Sequence, residues 1–355
     1  MASESKTEKP LKLGIIGTGI FAVNNHLPTF EKLPNLYLPW ACYNRTKAKA
    51  EDFAVKAKIS SDKIHDSLES IVSDPDVDVI DALLPVQYNL DVVKLAVKYG
   101  KPLAMEKPIA ANLDQAREIV KISKENPQLP IIILEQWSYY KAITILKEKL
   151  NEIGNVVSFT YKSTGPFYVS NKYLKTSWRA KPEHIGGFLS DGGVHQLALL
   201  TGVLGRVSKV SGLTKQVRKQ SGADDILYSC MTMENGLIGT FTYGSAFGAT
   251  KKSCVFEIMG DNGSISFDFT PKRVPTATVL IGANGDVEPK EEVIQIENEN
   301  SGTLKEFEVF SEALKTKDFT KILSTPEVCF HHLAVIDAAL KSSSSGGNAI
   351  EVQTP

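Results

Sequence analysis

A short apolar run that ends in glycines near the N-terminus restricts the fold of this chain more than any other feature. Residues 11–17 read Leu-Lys-Leu-Gly-Ile-Ile-Gly, and a helical pattern follows at 21–32, so a strand, a glycine turn and a helix are expected in succession. The alternation continues, with strands predicted at 38–43, 77–84, 102–105 and 131–134 and helices at 46–58, 89–99 and 114–124. Such alternation predicts an α/β fold with a doubly wound parallel sheet of the Rossmann type.

The pattern changes after residue 134. A helix predicted at 140–150 precedes β-rich sequence with hairpin signals at Asn235-Gly236 and Asn262-Gly263. Candidate strands lie at 156–161, 226–233, 237–243, 254–259 and 264–269, and a final helix at 326–341 precedes a flexible serine-rich turn at 342–347. Because a chain of 355 residues exceeds what one core usually supports, we predict two domains. These are a Rossmann domain over residues 10–134 and an α+β domain over 135–352 with a mostly antiparallel open sheet.

Composition restricts the partners of the chain. The 40 Lys and Arg nearly balance the 41 Asp and Glu, which removes the electrostatic argument for nucleic acid or an anionic membrane as the main partner. A small-molecule substrate is the default expectation. No apolar stretch reaches the roughly 20 residues of a membrane span, and residues 1–10 do not resemble a signal peptide, so we expect a cytoplasmic protein. The four cysteines, at 42, 230, 254 and 329, are far apart and predict neither a disulfide framework nor a metal site.

The first motif with chemical content is the GxGxxA sequence at residues 17–22, where a strand passes into a helix. Its first glycine permits a tight turn, its second lets the backbone approach a pyrophosphate, and the helix N-terminus faces the negative charge. A purely structural turn is the alternative. We expect the motif to bind a dinucleotide through Gly17, Thr18, Gly19, Ile20 and Phe21.

The end of the second predicted strand indicates which dinucleotide is bound. NAD enzymes commonly carry an acidic residue there, which accepts hydrogen bonds from the ribose 2′-hydroxyl. Here the sequence is Asn44-Arg45. A neutral Asn44 does not repel a 2′-phosphate, and Arg45 offers it a planar, charge-assisted fork. NADP or NADPH is therefore favoured over NAD.

Two further motifs follow the GxGxxA turn along the chain. Glu106-Lys107-Pro108 ends a predicted strand, and residues 186–195 contain the pattern DxGxH from Asp191 to His195. Together with the GxGxxA turn, and in this order, these motifs resemble those of the glucose-fructose oxidoreductase and inositol dehydrogenase (Gfo/Idh/MocA) family. The resemblance extends over residues 11–351, and Asn44-Arg45 makes the chain most similar to fungal NADP(H)-dependent members.

The resemblance implies three roles in hydride transfer. Lys107 would reach the nicotinamide ribose and the substrate, Asp191 would bind a substrate hydroxyl, and His195 is an acid/base candidate. Moving a hydride between a carbinol carbon and nicotinamide requires a proton to move on the oxygen, which suits a histidine. Lys107 could move this proton itself after a lowering of its pKa, or it could stay charged and stabilise a developing alkoxide. On a helix, Asp191 and His195 would share one face.

Other family positions are matched less completely. The resemblance assigns cofactor contacts also to Leu84, Pro85, Asn89, Glu106, Trp178 and Arg179. The family's TPNxxH loop retains only Pro85, and Ala198 stands where members often carry an aspartate three residues after the histidine. A sugar-like substrate therefore loses one polar contact, and the aromatic residues at 167, 168, 173 and 178 slightly favour a less polar aldehyde, ketone or diol.

The leading hypothesis is an NADP(H)-dependent oxidoreductase that acts on a small hydroxyl or carbonyl compound. By analogy with the family, a homo-oligomer is expected, with a dimer as the simplest form. One alternative is a non-catalytic dinucleotide sensor, like the galactose-regulon repressor of yeasts, and another is glycosidic bond cleavage through transient oxidation. The histidines at 26, 65, 331 and 332 show no ligand spacing and are expected to be structural or to lie on the surface.

Overall fold

The computed structural model describes residues 9–170, 181–271, 274–297 and 302–355, and the chain divides into two compact units. The first unit consists of Met1–Ala110, Asp114–Leu134 and Thr303–Pro326. The second unit consists of Ala111–Leu113, Glu135–Gly302 and Glu327–Pro355. Within the described ranges, no helix is long and apolar enough to cross a membrane.

The first unit shows the predicted alternation of strands and helices, and the second unit contains more strands than were predicted. The strands are β1 (Leu11–Ile16), β2 (Tyr37–Tyr43), β3 (Ile64–His65), β4 (Val79–Ala82), β5 (Leu103–Glu106), β6 (Ile131–Leu134), β7 (Val156–Pro166), β8 (Val207–Lys215), β9 (Ile226–Met233), β10 (Ile238–Phe247), β11 (Ser253–Gly260), β12 (Gly263–Asp268), β13 (Thr276–Ile281), β14 (Lys290–Gln295) and β15 (Ile350–Glu351). The α-helices are α1 (Leu27–Lys32), α2 (Lys47–Ala57), α3 (Leu68–Ser73), α4 (Asn89–Lys98), α5 (Leu113–Glu125), α6 (Lys141–Leu150), α7 (Phe188–Leu204), α8 (Thr303–Thr316) and α9 (Pro326–Ser344). A π-helical turn, Ala22–His26, leads directly into α1. The elements β3 and α3 of the first unit and the strands β8, β13, β14 and β15 of the second unit were not predicted.

The first unit is built on a six-stranded parallel sheet in the order β3-β2-β1-β4-β5-β6. The strand order reverses on either side of β1, which pairs with both β2 and β4. In sheets of this kind, ligands bind at the carboxyl ends of the strands beside such a reversal. The doubly wound Rossmann sheet is therefore confirmed.

The second unit is built on a nine-stranded sheet in the order β14-β13-β12-β11-β7-β10-β9-β8-β15. Only β7 and β10 run parallel among the neighbouring strands, which confirms the mostly antiparallel sheet. Both hairpin predictions are confirmed, because Asn235-Gly236 joins β9 to β10 and Asn262-Gly263 joins β11 to β12. Apolar side chains of α6, α7 and α9 form the core with one face of the sheet. The other face carries Leu213, Tyr228 and Ile238, each more than half exposed.

The segment 303–326, which our sequence-based boundaries place in the second domain, belongs to the first unit. Phe307 of α8 is fully buried and packs edge-on against Phe30, with ring centroids 4.9 Å apart. The main-chain carbonyl of Phe307 accepts a hydrogen bond from the Tyr37 hydroxyl at 2.7 Å. Tyr37 and Phe307 are 270 residues apart in the sequence. Local sequence patterns therefore do not reveal that the segment 303–326 packs back onto the first unit.

The serine-rich stretch at 342–347 is also different from its expected form. The helix α9 continues to Ser344 instead of ending at a flexible turn near 341. Ser342 is fully buried, and its Oγ accepts a hydrogen bond from the Gly212 backbone at 2.8 Å. Ser343 Oγ accepts another from the Thr214 backbone at 2.9 Å. The serines therefore satisfy backbone donors along β8, a function that composition does not reveal.

Candidate active site

The GxGxxA turn has the backbone geometry that its two glycines predict. Gly17 has φ of +91°, and a Cβ there would lie 2.2 Å from the Leu83 carbonyl oxygen, so this position requires glycine. A Cβ on Gly19 would meet no atom of the described chain within 4 Å, and Gly19 is exposed. The backbone at Gly19 can therefore be approached closely, as a pyrophosphate requires. Ala22 is fully buried where the helix begins. The turn thus fits a dinucleotide.

The end of β2 is tied to this turn through Asn44. The Asn44 side-chain amide donates to Thr18 Oγ1 at 3.1 Å, and its Oδ1 accepts from the Thr46 backbone at 2.9 Å. Thr18 Oγ1 in turn donates to the Lys49 carbonyl at 2.9 Å. Arg45 and Lys49 are exposed beside this network. The end of β2 therefore presents basic side chains and a neutral amide.

Leu84, Pro85, Ile20 and Phe21 also lie close to the carboxyl edge of the parallel sheet. Leu84 and Pro85 follow β4 and are half-buried, and Ile20 is 45% exposed. The Phe21 ring instead packs edge-on against His26, with centroids 5.4 Å apart. Trp178 and Arg179 lie outside the described residues.

The Glu106-Lys107-Pro108 motif lies at the end of β5, and the Asn89 side chain forms hydrogen bonds with its backbone. The Asn89 amide nitrogen lies 3.2, 3.0 and 3.3 Å from the carbonyl oxygens of Glu106, Pro108 and Ile109. Asn89 is only 1% exposed. The amide nitrogen therefore supports the backbone of this turn, and the contact of Asn89 with a cofactor stays a prediction.

Sequence reasoning missed a buried chain of three ionisable side chains behind the motif. His26 Nδ1 lies 2.9 Å from Asp81 Oδ2, and His26 Nε2 lies 3.1 Å from Glu106 Oε1. Burial alone would lower the pKa of His26, but the two carboxylates raise it to about 10. The ring is therefore an imidazolium at neutral pH and donates to both acids. The sequence signal that could have revealed this cluster is Asp81 within the buried strand β4, because a buried carboxylate requires a hydrogen-bonding or charged partner.

Asp191 and His195 both lie in α7, as predicted, one helical turn apart. Two glycines with positive φ precede the helix, Gly186 at +72° and Gly187 at +47°. A Cβ on Gly192 would lie 1.9 Å from the Tyr243 hydroxyl oxygen, so this glycine lets Tyr243 pack against the helix. Burial, with the negative charge of Asp191, raises the pKa of Tyr243 above its ordinary value, and the hydroxyl stays protonated.

His195 is held by two residues that the sequence did not single out. Its Nδ1 lies 2.5 Å from Oε1 of Glu135, a residue that is 0% exposed. The Trp137 ring stacks on the imidazole, with centroids 5.6 Å apart and an angle of 22° between the planes. Glu135 directly follows β6 and lies at our predicted domain boundary, where no site residue was expected. The side chain of His195 is 16% exposed, so the ring is still accessible.

Comparison with known proteins identifies the family. Residues 11–132 match the family model described as an oxidoreductase family, NAD-binding Rossmann fold, and residues 147–352 match its C-terminal alpha/beta domain. The chain belongs to the Gfo/Idh/MocA oxidoreductase family. This confirms the resemblance inferred from the motifs.

Individual relatives match almost the whole chain. The uncharacterised protein YMR315W of Saccharomyces cerevisiae is 51% identical over 98% of this chain and 99% of its own length. The crystal structure of an oxidoreductase from Thermotoga maritima is 30% identical, with a TM-score of 0.85, over 97% of this chain and 99% of that one. The transcriptional regulator Gal80p of Kluyveromyces lactis shares the fold, with a TM-score of 0.79 at 20% identity over 98% of this chain and 95% of that one.

The buried His26 gives a prediction for stability as a function of pH. Since its pKa rises from an ordinary 6.5 to about 10 on folding, its contribution is full below pH 6.5 and is lost as the pH rises towards 10. The change His26→Asn should therefore reduce the free energy of unfolding most at pH 6, and less at pH 8 and pH 10. Chemical denaturation at the three pH values measures the difference.

The control for this experiment is Ile133→Val, which removes one methylene from a buried position of the same sheet. Its effect, about 1 kcal/mol, should not vary with pH. A difference between wild type and His26→Asn that stays constant from pH 6 to pH 10 would contradict the assignment of a buried imidazolium.

Proposed function

We propose that this protein is an NADP(H)-dependent oxidoreductase that transfers a hydride between nicotinamide and a small hydroxyl or carbonyl compound. The observation that carries the proposal is the held imidazole of His195, which lies one helical turn from Asp191 in an oxidoreductase of this family. A proton-transfer group that is oriented by a buried carboxylate is expected of an enzyme and is not required of a sensor.

The nicotinamide, when bound, supplies the hydride acceptor or donor. The chain supplies the other functions. We assign the binding of the substrate hydroxyl to Asp191 and the movement of its proton to His195. We assign to Lys107 the stabilisation of negative charge that develops on the substrate oxygen. The GxGxxA turn, from Gly17 to Phe21, would hold the pyrophosphate, and Leu84, Pro85 and Glu106 would line the path towards the nicotinamide.

The preference for NADP rests on the end of β2. Asn44 is fixed by two hydrogen bonds and carries no charge, and Arg45 is exposed next to it. A guanidinium binds a phosphate through charge-assisted hydrogen bonds that NADH cannot make. The family model covers NAD-binding domains in general, so this selectivity is a property we infer for the present chain.

Replacing Arg45 should separate the two cofactors. Because a hydrogen bond to a charged group contributes about 1.5–3 kcal/mol, Arg45→Ala should weaken NADPH binding by about 10- to 100-fold. NADH binding should change by less than about threefold. Titration of the purified protein with each cofactor measures both values. Lys56→Ala, at an exposed position near the other end of α2, is the control and should leave both affinities unchanged. Equal loss for NADPH and NADH would contradict a 2′-phosphate contact.

Variants at His195 and Lys107 test the catalytic roles that we assign to these two residues. His195→Ala and Lys107→Ala should each lower kcat by about 10²- to 10⁴-fold in a turnover screen over aldehydes, ketones, diols and sugars. NADPH binding should survive in His195→Ala, because His195 is assigned to the substrate and not to the cofactor. Turnover that persists in both variants would remove these residues from the mechanism.

A second function, dinucleotide sensing without catalysis, is kept because the regulator Gal80p shares this fold. Selective NADPH binding without turnover on any substrate in the screen would favour it. Release of a product without net change in NADPH would instead favour cleavage through transient oxidation. Residues 171–180 include Trp178 and Arg179, which stay predicted contacts of the cofactor or substrate.

We further propose that a second copy of the chain covers the open face of the nine-stranded sheet. Three large apolar or aromatic side chains, Leu213, Tyr228 and Ile238, are more than half exposed there. Lys209 of the edge-side strand β8 forms an ion pair with Glu351 at 2.8 Å, so that its positive charge is already neutralised within one chain. Exposed apolar sheet faces of this kind are typical of interfaces.

Sedimentation velocity should therefore show a species with twice the mass of one chain. Ile238→Asp places a charge in the proposed interface and should dissociate this species. Val55→Asp, at a position that is 80% exposed on α2, should not do so. A wild-type protein that is monomeric at micromolar concentration would contradict the proposal.

A further inference from the structure

We propose that Glu135 is a positioning residue that fixes the tautomer of His195, so that Nε2 is the nitrogen that exchanges a proton with the substrate. The tautomer is a property of the protein alone, whereas its use in turnover rests on the proposed function. The inference chooses His195 over Lys107 as the group that moves the proton.

The hydrogen bond at Nδ1 determines which nitrogen carries the proton. Glu135 Oε1 lies 2.5 Å from His195 Nδ1 and also accepts from the Trp137 backbone at 3.2 Å. We infer that Glu135 is ionised and therefore has no hydrogen to donate, so that Nδ1 carries the proton in this pair. In neutral imidazole the other nitrogen then has a lone pair. His195 Nε2 is thus the basic atom.

The ring plane is fixed independently of this bond. Trp137 lies between His195 and Tyr140, stacked at 5.6 Å on the imidazole and at 4.9 Å on the phenol ring. Stacking restricts the tilt of the imidazole, and the hydrogen bond restricts its rotation within the plane. Together they leave one orientation, in which Nε2 points away from Glu135.

Among the titratable groups around Glu135, His195 is the one that can become its cationic partner. Burial lowers the pKa of His332 to about 4, so this neighbour is neutral at pH 7 and supplies no positive charge. Burial and the negative charge of Glu135 raise the pKa of Tyr140 above its ordinary value, so the phenol is neutral as well. The imidazolium formed at His195 after proton uptake would therefore be the cation nearest to the carboxylate among these groups.

Glu135 and Asp191, the two acidic residues assigned to work with His195, have different roles. The carboxylate at Nδ1 is that of Glu135, which follows β6, and not that of Asp191 in the same helix. In oxidation, the substrate C–H bond breaks as its hydride leaves for nicotinamide, and the O–H proton passes to His195 Nε2. A carbonyl compound and an imidazolium beside Glu135 result, and reduction reverses each transfer. Asp191 does not need to hold the imidazole in this scheme.

The first test measures the tautomer in the full-length protein without cofactor. Nitrogen-15 NMR, at a pH where the ring is neutral, should show a protonated Nδ1 and an unprotonated Nε2 for His195, with His195→Asn identifying the signals. Glu135→Leu, which has no acceptor, should lose this preference, and Glu135→Gln, whose amide can either accept from Nδ1 or donate to it, should weaken it. A wild-type ring protonated at Nε2, or an unchanged preference in Glu135→Leu, would overturn the proposal. The wild-type result decides even if Glu135→Leu does not fold.

The second test measures turnover on any substrate found in the screen. Glu135→Leu should lower kcat by about 10²- to 10⁴-fold, with NADPH affinity unchanged within about twofold. Glu135→Gln should also lower kcat, because its amide can donate to Nδ1 and permit the other tautomer, and because it lacks the charge. Glu148→Leu, at an exposed position of α6, is the matched control and should match wild type. Full activity in Glu135→Leu would overturn the catalytic use of the dyad. If no substrate is turned over, the proposed function fails, and the NMR result still decides the tautomer.

Discussion

Buried carboxyl side chains organise the functional side chains of both units. Asp81 and Glu135 are each 0% exposed, and an ion that is removed from water is stable in a protein only when it is paired and hydrogen-bonded. In the first unit this requirement draws His26 between Asp81 and Glu106. In the second it draws His195 onto Glu135. The same physical demand therefore produces one histidine that is charged at neutral pH and another whose ring is oriented for proton transfer.

The two histidines differ because their surroundings differ. His26 has a carboxylate at each nitrogen and is fully buried, so both of its protons are committed and it can act only as a structural cation. His195 has a carboxylate at Nδ1, and its ring retains some exposure. An acid/base group needs a nitrogen that can reach the substrate, and only the second arrangement provides one. Counting histidines in the sequence does not distinguish these cases.

Local sequence was a good guide wherever a motif depends on its own backbone. The GxGxxA turn, the hairpins at Asn235-Gly236 and Asn262-Gly263, and the shared helix of Asp191 and His195 are all present as predicted. Each depends on residues a few positions apart. The return of 303–326 to the first unit was missed, because Phe307 and Tyr37 meet across 270 residues. Ser342 was misread as part of a flexible turn for the same reason, since its partner Gly212 lies in β8.

The sequence by itself determined the alternation of strands and helices in the first unit, the Rossmann turn, the mostly antiparallel second sheet and the family, because periodicity and glycine positions are local properties that short motifs preserve. Only the tertiary structure decided how the titratable side chains are paired. The Asn89 amide supports the backbone near Lys107, and Glu135 is the partner of His195. Hydrogen bonds between side chains distant in sequence depend on where the folded backbone brings them within about 3 Å, and one sequence carries no direct record of those distances.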